Sequence, residues 1–118
     1  MDIEAYRNHC VSKEQVTEEF PFPSLPNLLV FKVAGKMFTA TDIMTFESIS
    51  VKCNPDQSDE IRATYPAVTG HKYFKGPGWN LVKMDRSIPD KVVFEWINTS
   101  YKLAIEKLPK RIRSTFGY

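Results

Sequence analysis

Two cysteines in 118 residues are too few for a disulfide framework. Cys10 and Cys53 read as reduced thiols of a cytoplasmic protein that behave as small apolar side chains. Long hydrophobic runs are also missing. The longest, Leu28-Leu29-Val30-Phe31, falls far short of the roughly 20 residues that a membrane-spanning helix needs. The opening Met1-Asp2-Ile3-Glu4 is acidic with no apolar stretch behind it, which is not the pattern of a secretory signal. There are only two histidines, His9 and His71, and no CxxC or HxxxH spacing. His9 and Cys10 are helix neighbours roughly 100° apart and do not converge on one metal. Nucleophile elbow, phosphate loop and dinucleotide fingerprint are all absent. These absences predict no metal, no cofactor and no enzyme. A pairing of Cys10 or Cys53 with His71 is the nucleophilic arrangement left open, but Cys53 alternates with Ile49 and Val51 and reads as a buried, inert thiol.

What is present fits one soluble globular domain over residues 1–118, with 42% apolar and 25% charged residues. The net charge of +2 is unevenly placed. Residues 1–60 carry five Lys/Arg against ten Asp/Glu, and residues 61–118 carry eleven against four. Such asymmetry hints at a basic interaction surface, although interleaved halves would simply let the charges meet. A carboxylate site for a harder metal is more open than a zinc site, since the acids Glu14, Glu18 and Glu19 follow the first helix. Asp56, Asp59 and Glu60 open the second, where acids suit the positive helix end.

The element pattern begins with a helix over about residues 2–12, capped by Asp2, with Ile3, Tyr6, Cys10 and Val11 on one face. The prolines of residues 20–26 hold the chain extended. Leu28 to Val33 and Lys36 to Thr41 read as strands joined by the tight turn Ala34-Gly35. Ser48 to Cys53 alternates cleanly, with Ile49, Val51 and Cys53 on one side and Ser48, Ser50 and Lys52 on the other. Asn54-Pro55 starts a helix that runs to about Tyr65. A short strand is expected at His71 to Phe74, a turn through Gly76-Pro77-Gly78, and a last strand at Trp79 to Met84. The last helix opens at Ser87-Ile88-Pro89-Asp90, carries Val92, Val93, Trp96, Ile97, Tyr101, Ala104, Ile105 and Leu108 as an apolar stripe, and stops at Pro109. The order predicts an α+β fold, an antiparallel sheet with helices on one face.

The other sheet face then offers the functional surface. Alternation puts Lys32, Ser50 and Lys52 outward, and with Val82 and Met84 inward it puts Trp79, Leu81 and Lys83 outward as well. Lysines beside an aromatic suit a nucleic-acid backbone or a protein partner. Lys36 lies at the hairpin. Lys107, Lys110, Arg111 and Arg113 follow the last helix, where cations favour the helix dipole and can meet phosphates.

Several stretches together resemble the MmcQ/YjbR-like family of small bacterial proteins. They are Val16-Thr17-Glu18-Glu19-Phe20-Pro21-Phe22, the hairpin from Leu29 to Phe38, Val51-Lys52-Cys53-Asn54-Pro55, Trp79-Asn80-Leu81-Val82, the Pro89 helix start, Ser100-Tyr101 and Lys107-Leu108-Pro109-Lys110. Asp commonly stands where this chain has Asn54. The resemblance implies a CyaY-like fold related in shape to frataxin, and a double-wing DNA-binding or regulatory role in largely uncharacterised proteins. Relatives tend to be more basic around Phe74-Lys75-Gly76-Pro77-Gly78. Kinship with frataxin raises iron as a rival ligand, yet Asp2 and Glu4 do not reproduce the acidic first-helix ridge. The reading is therefore DNA binding through backbone contacts by Lys32, Lys36, Lys52, Trp79, Lys83, Lys110, Arg111 and Arg113. Its alternative is a protein-interaction module on the same face.

Overall fold

Ala34 and Gly35 both have positive φ, 48° and 84°, the backbone that a two-residue hairpin turn requires. They join β2 (Leu28–Val33) to β3 (Lys36–Asp42) in the hairpin expected from sequence. The computed structural model describes every residue except Lys72, Tyr73 and Lys75. Around the hairpin, in chain order, lie α1 (Ile3–Val11), β1 (Val16–Glu19), β4 (Ser48–Lys52), α2 (Pro55–Thr64), β5 (Val68–Gly70), β6 (Trp79–Lys83), α3 (Asp90–Glu106) and α4 (Lys110–Arg113). The strands form one antiparallel sheet in the order β1-β2-β3-β4-β6-β5. The fold is α+β, as the sequence predicts.

Local chemistry explains most element ends. Asp2 caps α1 by accepting the Ala5 N–H at 2.8 Å. Asn54 occupies the N-cap of α2 ahead of Pro55, although its side chain makes no capping bond. In α3 the N-cap position falls on Pro89 and the helix begins at Asp90. Two strands differ from the expectation. β1 is an additional edge strand beside β2. The short strand before β6 is Val68–Gly70 instead of His71 to Phe74. His71 and Phe74 lie outside strands, and Lys72 and Tyr73 of that expected strand lie outside the described residues.

The core lies between the sheet and the helices. Tyr6 and Cys10 from α1, and Val93, Ile97 and Ile105 from α3, pack on Phe31, Phe38, Ile49, Val51 and Val82. Burying each large apolar side chain contributes roughly 1.5–3 kcal/mol. Among the described residues, the buried polar side chains of this layer are engaged. The Thr39 hydroxyl donates to the Ser50 carbonyl at 2.7 Å, so the buried Tyr6 hydroxyl must donate to Thr39 Oγ1 at 2.9 Å. Ser100 sits where β3 and β4 splay apart. Its Oγ accepts the Lys52 N–H at 2.9 Å and donates to the Phe38 carbonyl. Asn80 ties α2 to β6: its Oδ1 accepts from Arg62 Nε at 2.7 Å and Ser58 Oγ at 3.2 Å, and its Nδ2 donates to Cys53 Sγ and the Gly78 carbonyl.

The opposite sheet face is not bare. Val30 and Ala40 on it are fully buried. The proline-rich strap of residues 20–27 runs across it, anchored by the Ile43 N–H to the Asn27 carbonyl at 2.9 Å.

Candidate nucleic-acid interface

The residues expected to bind fall into separate places. Lys32 reaches across to Glu19 of β1 at 2.8 Å, so its charge is already balanced. Lys83 ends β6 opposite Ser48, while Trp79 begins β6 opposite Lys52. Four residues of strand, roughly 13 Å, therefore separate Lys83 from the Lys52 row. Lys36 and a third lysine, Lys107, which caps the C-terminal end of α3, by contrast lie close enough to Lys52 for their charges to act on it. The Lys52 ammonium loses its proton more readily than usual, first because it is partly buried and then because Lys107 and Lys36 add like charge.

The C-terminal segment folds back to the same end of the sheet. Tyr101 donates to the Glu14 carbonyl at 2.8 Å and meets the Phe116 ring edge-on at 6.4 Å. The Ala34 N–H in the hairpin turn donates to the neighbouring Gln15 carbonyl at 3.2 Å. Lys110 and Arg111 are exposed on α4, directly beyond Lys107. Arg113 is half-buried, and its enclosed Nε has no hydrogen-bond partner among the described residues. The basic end is thus Lys36, Lys52, Lys107, Lys110 and Arg111. Lys32 and Lys83 stand apart from it.

Trp79 corrects the expectation in a different way. It lies on the face that alternation assigns, yet it is only 8% exposed. Phe74 covers it edge-on at 5.1 Å, and Phe74 in turn stacks on His71 at 4.3 Å. Trp79 therefore serves as the inner layer of a small aromatic cluster and is not an exposed anchor.

His71 Nδ1 accepts the Phe74 N–H at 3.0 Å, and Nε2 lies 2.6 Å from Ser50 Oγ. Burial holds the His71 ring below its ordinary pKa, and burial also lowers that of His9, which stacks on Phe94 at 4.2 Å. A lowered folded-state value means that the unfolded chain takes up the proton first, so stability is complete above the ordinary histidine value of 6.5 and falls as pH drops below it. Thermal melts between about pH 7.5 and 5 should show this loss, and His71→Asn should flatten it. An equal slope in the variant would assign the whole effect to His9 and the carboxylates.

The thiols do not meet a histidine. Cys53 contacts Asn80 on the helix side, whereas His71 contacts Ser50 on the other side. Cys10 is buried, which pushes its thiol up to about 12. Among the described residues, no group of three or more His, Cys, Asp and Glu side chains is placed to hold a metal ion. No helix among them is long and apolar enough to cross a membrane. The grouping of Lys107 with Lys36 and Lys52, and the Ser50–His71 pair, are the additions that folding makes to the sequence reading. The first depends on where α3 ends against the sheet, and the second joins residues 21 apart that no local motif links.

Comparison with known proteins agrees with this architecture. The YjbR family profile matches residues 11–103, and the chain belongs to that family. It is 26% identical over 66 residues to the uncharacterised protein YjbR of Escherichia coli K12, a match covering 56% of each chain. The chain thus spans about half the length of that curated relative. It is 27% identical over 99 residues to the uncharacterised protein YbdF of Escherichia coli O157:H7, covering 79% of this chain and 81% of that one. A crystal structure of a DUF419-domain protein from Deinococcus radiodurans superposes with a TM-score of 0.88 at 28% identity, covering 98% of this chain and 87% of the other. A Pseudomonas syringae protein shares the fold with a TM-score of 0.75 at 17% identity, over 88% of this chain and 99% of that one.

Proposed function

We propose that this protein is a non-catalytic, cytoplasmic DNA-binding module that grips the duplex backbone with the basic end of its sheet. One observation carries the reading: Lys52 is held partly buried, with Lys36 and Lys107 as the charges acting on it and no carboxylate among them. Gathering like charges opposes folding; a polyanion relieves that repulsion by neutralising them, and the release of its counterions drives the binding. The sheet supplies Lys52 and Lys36, the cap of α3 supplies Lys107, and α4 supplies Lys110 and Arg111. Backbone contacts of this kind carry no base code, so binding is mostly independent of sequence.

The test is a titration of a short mixed-sequence duplex at several salt concentrations. About four phosphate contacts should give a slope of log K against log salt near −3.6. Lys52→Glu should weaken binding by at least about tenfold and make the slope shallower, while Lys83→Glu should change little. A flat salt dependence, or no binding at about 50 mM salt, would reject DNA and favour a protein partner on the sheet face.

A further inference from the structure

The sheet face beside the strap holds a cleft of about 370 Å³. Natural small-molecule sites run from about 300 to 1,000 Å³. Its floor consists of Ala40, Ser50 and Leu81, which stand side by side on β3, β4 and β6. Two of these three side chains are small, so the space above the middle of the sheet is left unfilled. Residues of the strap close one wall, and Phe74 and His71 line the cleft with them.

Two polar groups give the cleft direction. The Phe74 N–H points at His71 Nδ1, which must therefore hold a lone pair. In the neutral ring the proton then sits on Nε2 and is donated to Ser50 Oγ at 2.6 Å. This polarity does not suit a nucleophilic serine, because His71 gives a proton to the hydroxyl instead of taking one. It leaves the Ser50 hydroxyl proton without an acceptor among the described residues, available to a ligand oxygen. At the other end, Asp42 lines the cleft with one carboxylate oxygen accepting the Met44 N–H at 2.8 Å. Its second oxygen has no partner among the described residues. Asp42 lies two residues beyond Ala40, and Ala40 faces Ser50. Strand rise and spacing put the Cα atoms of Asp42 and Ser50 about 8 Å apart. Among the described lining residues there is no Lys or Arg to receive an anion.

We infer that this cleft binds a small organic cation, an ammonium on Asp42 joined by a flat apolar body over Ala40 to a hydroxyl or carbonyl oxygen on Ser50. The site is separate from the basic end, so it stands or falls independently of DNA binding.

Tyramine is a suitable probe, since a benzene ring and a two-carbon arm join its phenol oxygen to its ammonium over a comparable span. Titrated into the full chain under NMR observation, it should shift amides near residues 27–28, 40–42 and 48–50 with a millimolar Kd. Asp42→Asn keeps the oxygen that accepts the Met44 N–H and removes only the charge, so it should weaken tyramine at least about tenfold while the spectrum stays folded. Ser50→Ala should weaken it about fivefold. The isosteric acid 3-(4-hydroxyphenyl)propionate should bind at least about tenfold more weakly than the amine. No shifts at about 10 mM tyramine, shifts mapping elsewhere, equal affinity for acid and amine, or indifference to Asp42→Asn would each overturn the assignment.

Discussion

Gly78→Ala is expected to destabilise the protein by at least about 3 kcal/mol, a large share of the 5–15 kcal/mol that holds a typical domain together. Gly78 has a φ of +93°, where a side chain is strained before any neighbour is considered. A Cβ added there would lie 2.2 Å from the Cys53 carbonyl oxygen, which is backbone and cannot rotate away. The two segments are also bonded to each other, with the Cys53 N–H donating to the Gly78 carbonyl at 2.9 Å. Moving them apart to admit the methyl would break that bond, and with it the pairing of Lys52 with Trp79 at the start of β6. Gly35 supplies the control. Its φ of +84° is similar, but nothing lies within 4 Å of the position of its Cβ. Gly35→Asn, a residue that tolerates this backbone, should cost no more than about 1 kcal/mol. Urea unfolding of both variants decides the matter. A Gly78→Ala variant within about 1 kcal/mol of the parent would show that the close approach relaxes easily.

The strands and helices that bury one regular face were legible from sequence for that reason. The alternation of Ile49 and Val51 with Ser48, Ser50 and Lys52 marks β4, and the 3.6-residue stripe from Val92 to Leu108 marks α3. β1 carries no such signal. Val16-Thr17-Glu18-Glu19 is a polar edge strand held by pairing with β2, and by Arg7 Nε to Glu18 at 2.8 Å. Its charges are the kind that protect a sheet edge, and they read as loop when no partner is visible. Ser100 and Asn80 stood out only within stretches resembling a family. Their work lies in bonding segments distant in the chain, Ser100 across β3 and β4 and Asn80 across α2 and β6. The basic end was half legible: Lys36 and Lys52 are strand-end lysines, but their meeting with Lys107 depends on how α3 crosses the sheet. The cleft was not legible at all, since it arises where the strap, His71 and Phe74 come beside small side chains of the sheet.

The two tryptophans show how far face assignment goes and where cover must be known. Periodicity puts Trp96 on the buried stripe of α3 and Trp79 on the outer sheet face, so sequence alone expects Trp96→Ala to be the more damaging change. Folding reverses the order. Trp79 is 8% exposed beneath Phe74, whereas Trp96 is only partly buried, its ring edge-on to Tyr65 at 5.1 Å. Removing a well-covered tryptophan forfeits its transfer energy and leaves a cavity, so Trp79→Ala should cost about 3–4 kcal/mol. Trp96→Ala can admit water to part of the vacated space and should cost about 2 kcal/mol. Trp79→Ala also takes the support from Phe74, and through it from His71, so the amides of His71 and Phe74 should exchange their protons faster in that variant. Under the proposed function, DNA affinity of the folded fraction should hardly change, because Trp79 lies under other side chains and the proposal puts the phosphates on lysines. Denaturant melts paired with a DNA titration read both quantities on the same samples. If Trp79→Ala proves the milder of the two and yet abolishes binding, the aromatic cover must open to admit the duplex, and Trp79 is a contact after all.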